Sequence, residues 1–417
     1  MIRRIILCVW VLAVWTFFQF GYEYTFFYKE QNQIFLASAD YLTTYFDRPA
    51  WCANMVGDFL TQFYYYLFAG AAIFTVLLVI TFIFIDLALL RITHRRNISF
   101  AVSLAVVTCL TVFNFNPDYR TSSVVSLLGT ALLLFLWTLF RRRRMLLKGV
   151  IGLIFIVLAW WMFRIGTPAV GQFSAPYFEL EDYLEVDNLF YFGRDDALAA
   201  KVEAMDEADV TSVISCYYYM SKSRQCELTQ SIGKVSPVNL GTLYHIGPKS
   251  SLQEMRLMNE FYFLLGDMTM TERAAMLVLV SSHNNRNIRA IKRLAEVNLV
   301  AGDAEAAMKY LRILEQTFVY RKWALANQPE RFNNALLAKR KFVNKNDRLR
   351  LDDNCREILI GLLEANPDNR VAANYLLCTD IQVRNRQLFF DDYRKYYRPS
   401  VGAQTDEFYK QYLVGYE

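Results

Sequence analysis

The sequence predicts an all-α protein in which five membrane-spanning helices precede a helical-repeat domain. Three observations carry that expectation. Hydrophobic residues make up 54% of the 417-residue chain and aromatic ones 16%, too apolar for an ordinary soluble protein of this length. The apolar residues gather before residue 166, in stretches long enough to cross a bilayer. Beyond that point Gly and Pro are sparse and apolar residues recur at three and four, the helical period.

The expected division is therefore 1–166 for the membrane domain and 167–417 for the soluble one. The spans are Ile5–Phe20, Tyr65–Leu90, Ile98–Phe115, Ser123–Phe140 and Gly149–Ile165. The first begins like a signal peptide, with Arg3 and Arg4 before an apolar run. Its exit, Phe17-Phe18-Gln19-Phe20, lacks the small residues of a cleavage site, so it reads as an uncleaved anchor.

Charge sets the expected orientation. The loops that would share a side with the N-terminus hold ten Lys/Arg: Arg3, Arg4, Arg91, Arg95, Arg96, Arg141 to Arg144 and Lys148. The alternate loops hold Lys29, Arg48 and Arg120. Clustered basic residues stay in the cytoplasm, which places the N-terminus inside and the C-terminal domain outside. The +5 net charge has the same origin. Residues 1–166 carry 14 basic and 7 acidic residues, a balance of +7, and the remainder carries 31 and 33, a balance of −2. Nothing in the tail asks for nucleic acid.

Between the first two spans, residues 21–63 form an aromatic loop. Apolar residues at Ile34, Phe35, Tyr41, Leu42 and Tyr45, and again at Trp51, Met55, Val56, Phe59, Leu60 and Phe63, follow a helical period. Two short amphipathic helices lying at the outer membrane face are expected. Glu23, Glu30, Asp40, Asp47 and Asp58 are scattered among them. As solvated polar groups they need no function. As a catalytic set, Glu23, Glu30 and Asp40 are the candidates for a glycosyltransferase-like reaction on a lipid-linked substrate at the outer face. Asp86, inside the second span and one turn from Arg91, is satisfied by nearby arginines or marks an ion path.

In the tail, helices are expected at Tyr177–Phe192, Asp195–Asp206, Val210–Ser223, Ser250–Leu265, Thr271–Ser282, Asn287–Ala301, Ala304–Thr317, Asn333–Val343, Leu351–Ala365 and Val371–Tyr397, the last with a break near Thr379. Leu294, Ala295, Asn298, Gly302, Ala307, Leu311 and Leu314 resemble a tetratricopeptide (TPR) unit. The small residues permit close helix approach, Gly302 accepts a helix-ending positive φ, and Asp303 caps the second helix. A partial second match begins at Pro367, with Asn369 as cap. Tyr217 to Tyr219 read as helix–helix core rather than a ligand groove. Lys322–Phe342 reads as a solvated basic face rather than an anionic-lipid patch.

The stretches YKEQNQIFLASADYLTTYFDRPAWCANMVGDFLTQFYYY and IKRLAEVNLVAGDAEAAMKYLRILEQTFVYRKWA resemble an uncharacterised bacterial family of multi-span inner-membrane proteins with TPR-like helical tails. The resemblance implies bacterial inner-membrane residence and carries no functional residues.

No zinc, nucleotide or hydrolase motif is present, and the three histidines (His94, His245 and His283) are scattered. No cofactor or metal is expected. Seven cysteines make no disulfide framework, and Cys216 and Cys226 read as free thiols rather than a bridge. The expected role is a membrane-anchored scaffold that contacts membrane lipids and binds a protein or peptide through the tail. A lipid-linked-substrate enzyme and a transporter subunit are the alternatives.

Overall fold

The computed structural model describes residues 1–47, 49–140, 145–163, 177–236, 240, 246–247, 249–282, 285–331, 334–340, 354–397 and 407–413. Arg48, Arg141 to Arg144, Arg164, His245 and His283 fall outside them. The architecture is all-helical. Among the described residues there is no β-strand, and one isolated bridge pairs Gln328 with Arg331. The chain divides into two compact units. The first is Met1–Glu181 with Gln316–Arg321, and the second is Asp182–Glu315 with Lys322–Glu417.

In the first unit four helices are long and apolar enough to cross a membrane: α1 (Ile2–Phe20), α5 (Ala69–Thr93), α6 (Arg96–Phe113) and α7 (Thr121–Leu139). The fifth expected span is a 14-residue α-helix, α8 (Met145–Leu158), that continues as a five-residue π-helical turn, Ala159–Phe163. Between α1 and α5 lie α2 (Glu23–Gln31), α3 (Ala39–Phe46), α4 (Trp51–Thr61) and a 3₁₀ turn at Gln62–Tyr65.

The core of this unit is aromatic and aliphatic. Phe18, Phe26 and Phe74 meet edge-on or tilted around Leu78 and Val107. At one end Arg3 donates to Asn97 at 2.5 Å, and the Ser99 hydroxyl donates to Asp86 Oδ1 at 2.6 Å, tying α6 to α1 and α5. At the other end α2 packs on the start of α5, α4 packs on α7, and α3 packs on α4.

Helix α4 turns its small residues, not its large apolar ones, toward the rest of the unit. Its buried residues are Ala53, Gly57, Asp58 and Thr61, whereas Trp51, Met55, Val56, Phe59 and Leu60 are only partly buried. The small residues recur every four positions, which lets α4 lie close against α7. A Cβ on Gly57 would sit 2.5 Å from Ser122 Cα, so only glycine permits this approach.

The second unit is built from helix pairs. Its elements are α9 (Glu181–Tyr191), α10 (Asp195–Glu203), α11 (Ser212–Arg224), α12 (Leu228–Ser231), α13 (Leu252–Leu265), α14 (Met268–Ser281), α15 (Ile288–Ala301), α16 (Ala304–Glu315), α17 (Arg321–Ala326), α18 (Asn334–Lys339), α19 (Cys355–Ala365), α20 (Arg370–Gln382), α21 (Arg386–Tyr396) and α22 (Glu407–Leu413). Glu181 and Arg321, the end residues of α9 and α17, belong to the first unit.

Each of α13 to α16 packs on the next. In the α15–α16 pair Leu294, Ala295, Ala307, Leu311 and Leu314 are wholly buried. Gly302 takes φ +89° between the two helices, and Asp303 Oδ1 accepts from Ala306 N at 2.9 Å. Asn369 likewise caps α20, accepting from Ala372 N at 3.1 Å. The helix expected over Val371–Tyr397 breaks at residues 383–385 rather than at Thr379. Arg384 adopts φ +58°, and the Asn385 side chain caps α21 by accepting from Leu388 N. Tyr217, Tyr218 and Tyr219 are all buried in the core, and Cys216 and Cys226 are free, one buried and one exposed.

Candidate functional site

The polar chemistry of the first unit concentrates where α2, α3 and α4 meet the chain between α6 and α7. Asp58 is 2% exposed. Its Oδ2 accepts from the Tyr45 hydroxyl at 2.9 Å and its Oδ1 from Arg120 at 3.0 Å. Tyr41 lies 3.2 Å from Tyr45, and Gln33 donates to the Asp58 backbone carbonyl at 3.0 Å. Burial and the neighbouring Asp58 carboxylate hold the Tyr45 phenol well above its ordinary range, so it stays a proton donor. The Thr61 hydroxyl donates to Thr121 at 2.7 Å, and Tyr64 lies 2.9 Å from the same oxygen.

Helix α2 supplies a second set. Lys29 is buried, and its ammonium donates to Asn114 Oδ1 at 2.5 Å. Burial pulls its pKa down to about 7, against the opposing pull of Asp118. Tyr22 donates to Glu181, and its hydroxyl lies 3.5 Å from the Phe115 carbonyl.

The three carboxylates expected from sequence occupy different surroundings. Glu23 opens α2 and accepts from Gln19 at 3.3 Å and from Phe68 N at 3.5 Å. Glu30 is buried and accepts from the Tyr320 hydroxyl at 3.1 Å. Asp40 is exposed in the first turn of α3. Gln316–Arg321 is part of this same unit. The Gln316 carbonyl accepts from Ala37 N at 2.8 Å, and the Tyr320 ring meets Tyr65 edge-on at 5.3 Å. Asp58, Lys29 and Arg120 are the members that sequence reasoning did not single out. Asp58 is recognisable in retrospect from its position in the Ala53–Gly57–Thr61 stripe.

The second unit holds an interior ion network. Arg289 reaches Asp187 Oδ2 at 2.7 Å and Glu260 Oε1 at 2.9 Å. Arg293 bridges Glu260 Oε2 at 2.5 Å and Glu296 at 2.8 Å, and Tyr217 donates to Asp187 Oδ1 at 2.6 Å. Burial opposes ionisation of Asp187 and Glu260. The guanidinium groups outweigh it and hold both carboxyls below their ordinary range. Lys339 donates to the Phe263 carbonyl at 3.0 Å, and burial next to Arg293 lowers its pKa to about 8.

A third centre joins α19, α20 and α21. Asp380 and Asp392 are buried, Arg356 contacts both, and burial together with the adjacent Asp392 raises Asp380 to about 8. Among the described residues no group of three His, Cys, Asp or Glu side chains is placed to hold a metal.

A family model matches the chain over residues 1–171 and 164–417, which is essentially its whole length. Its description is a family of unknown function, DUF6057. The chain belongs to this family. No curated protein and no solved structure matches it significantly. Membership of DUF6057 agrees with the expectation of an uncharacterised family and assigns no activity to the polar layer or to the ion network.

Proposed function

We propose that this DUF6057 chain is a membrane-anchored scaffold of the bacterial inner membrane, whose TPR-like tail binds a protein or peptide outside the cytoplasm. The stack from α13 to α16 carries this reading. Successively packed helices of this kind bury a continuous core and present an extended surface, the usual geometry of peptide-binding helical arrays. The buried ion network gives that array fixed side-chain partners at its centre. On α14, one turn apart, Met276 and Val280 are 42% and 66% exposed and offer an apolar strip for a partner.

The side on which the tail lies depends on whether α8 crosses the membrane as a fifth span. The packing of α8 supports crossing. Gly152 lies beside Trp137 near the end of α7, whereas Phe163 packs on Gly129 and its carbonyl accepts from Ser126. The two helices therefore run antiparallel. The Trp161 carbonyl accepts from Ala50 N at 3.1 Å, beside the start of α4. Helix and π turn together cover 19 residues, about 28 Å at the α-helical rise and close to one hydrocarbon thickness. Five spans with the basic loops inside put the tail outside.

The binding reading is tested with a photo-crosslinking residue at Val280 in the full-length protein, compared with one at the exposed Glu207. A discrete adduct at Val280 alone supports it, and equal labelling or none at both positions rejects it.

A second reading, a glycosyltransferase-like enzyme on a lipid-linked substrate using Glu23, Glu30 or Asp40, draws support from one observation. Glu30 is a buried carboxylate with a phenol donor in the polar layer. Full activity of a Glu30→Gln variant would remove it. For a transporter subunit using Asp86, the hydrogen bond from Ser99 supplies a structural role that the Asp86→Asn variant tests.

A further inference from the structure

Lys29 presents a buried charge with an incomplete set of partners. It is 9% exposed, and its ammonium meets the side-chain oxygen of Asn114 at 2.5 Å and the Asn114 carbonyl at 3.5 Å. Both acceptors are neutral. Tyr119 offers its ring face at 6.0 Å, and the exposed Asp118 acts on the amine only at longer range. A buried ammonium without a carboxylate is costly, and interiors ordinarily supply a counter-charge.

Two further observations point the same way. The Asn114 amide turns its oxygen toward Lys29. The amide nitrogen, on the same carbon, is buried and has no hydrogen-bond partner. One helical turn before Lys29, and on the same face of α2, the hydroxyl of Thr25 is 1% exposed and also has none. This face is the one that reaches the 114–119 chain, since Lys29 itself meets Asn114.

We propose that Lys29, Asn114 and Thr25 form a binding site for a phosphate-type oxyanion. The ammonium supplies the counter-charge, and the amide and hydroxyl donate to separate non-bridging oxygens. Phosphate fits this set because it brings several acceptor oxygens to one centre, while each protein donor serves one. The phosphate can belong to an anionic lipid headgroup or be free in solution. The proposal stands whether or not the tail binds a protein.

The test uses the full chain purified in detergent and native mass spectrometry, with phosphatidylglycerol in one arm and inorganic phosphate in the other. Wild type retains one equivalent. Lys29→Met, which keeps the stem and removes the charge, lowers affinity about tenfold, roughly 1.4 kcal/mol. Thr25→Val, isosteric and without the hydroxyl, lowers it about threefold, and Lys29→Arg restores most of it. Thr25→Val also covers the case in which Lys29→Met fails to fold. Retention of lipid alone identifies a headgroup site, and retention of phosphate as well identifies a free-anion site. Absence of both from wild type, or equal retention by wild type and Thr25→Val, overturns the proposal.

Discussion

Arg120 holds a guanidinium nitrogen 3.0 Å from the Asp58 carboxylate across 62 positions of sequence, and Tyr45 closes the other side of the same carboxylate. One acidic residue thereby fastens α3, α4 and the start of α7. Asp58→Ala removes the carboxylate that accepts from the buried Tyr45 phenol and pairs with the Arg120 guanidinium, and should cost about 2–3 kcal/mol. Asp58→Asn, which still accepts from Tyr45, should cost less. Thermal unfolding of the purified variants in one detergent orders them. Equal melting temperatures for wild type and Asp58→Ala would refute the role.

The close approach of α4 to α7 makes Gly57 sensitive to a single methyl group. Gly57→Ala drives a Cβ against the Ser122 backbone and should destabilise by about 1–3 kcal/mol. Gly149→Ala, where a Cβ meets nothing within 4 Å, is the matched control and should not lower the melting temperature.

Much of this architecture is legible in the sequence. The helical periods of α3 and α4, the Gly302 turn and the caps at Asp303 and Asn369 follow from residues close in sequence, where propensity and capping act. The buried side of α4 does not. Hydropathy groups Trp51, Met55 and Phe59 on a face expected at the membrane surface, but it does not mark Ala53, Gly57 and Thr61 as the side that packs on α7. Packing through small residues suits a helix whose surroundings are apolar. The pairing of Asp58 with Arg120, of Asp187 with Arg289 and of Lys29 with Asn114 joins residues 62 to 102 positions apart. No local pattern marks these pairs.

In the second unit Arg289 is the shared partner of two buried carboxylates. Arg289→Met should destabilise by about 3–5 kcal/mol, because Asp187 and Glu260 would remain buried beside fewer positive charges. Chemical denaturation of the full chain, followed by tryptophan fluorescence, checks this. A loss below about 1 kcal/mol would mean that the network relaxes without it.

Asp380 predicts a pH dependence. Its folded pKa, about 8, lies above the usual carboxylate value of about 3.9, so between these limits the folded state holds a proton that the unfolded state lacks. Its stabilising contribution is complete below about pH 4 and is lost as pH rises toward 8. Facing it are Asp392 from α21 and Arg356 from α19, with Lys395 nearer Asp392. Amide exchange in α21 should quicken between about pH 4 and pH 8 beyond the intrinsic chemical rate. Asp380→Asn should flatten that excess, and an unchanged profile in the variant would refute the assignment.

The central claim is that α8 completes five spans and delivers the tail outside the cytoplasm. The most direct measurement is a pair of reporters fused after Glu417: alkaline phosphatase, active only outside the cytoplasm, and green fluorescent protein, fluorescent only inside. Five spans with the N-terminus inside predict phosphatase activity without fluorescence. Fluorescence without phosphatase activity would contradict the account. It would leave α8 as a helix that does not cross, and would move the tail and its partner to the cytoplasm.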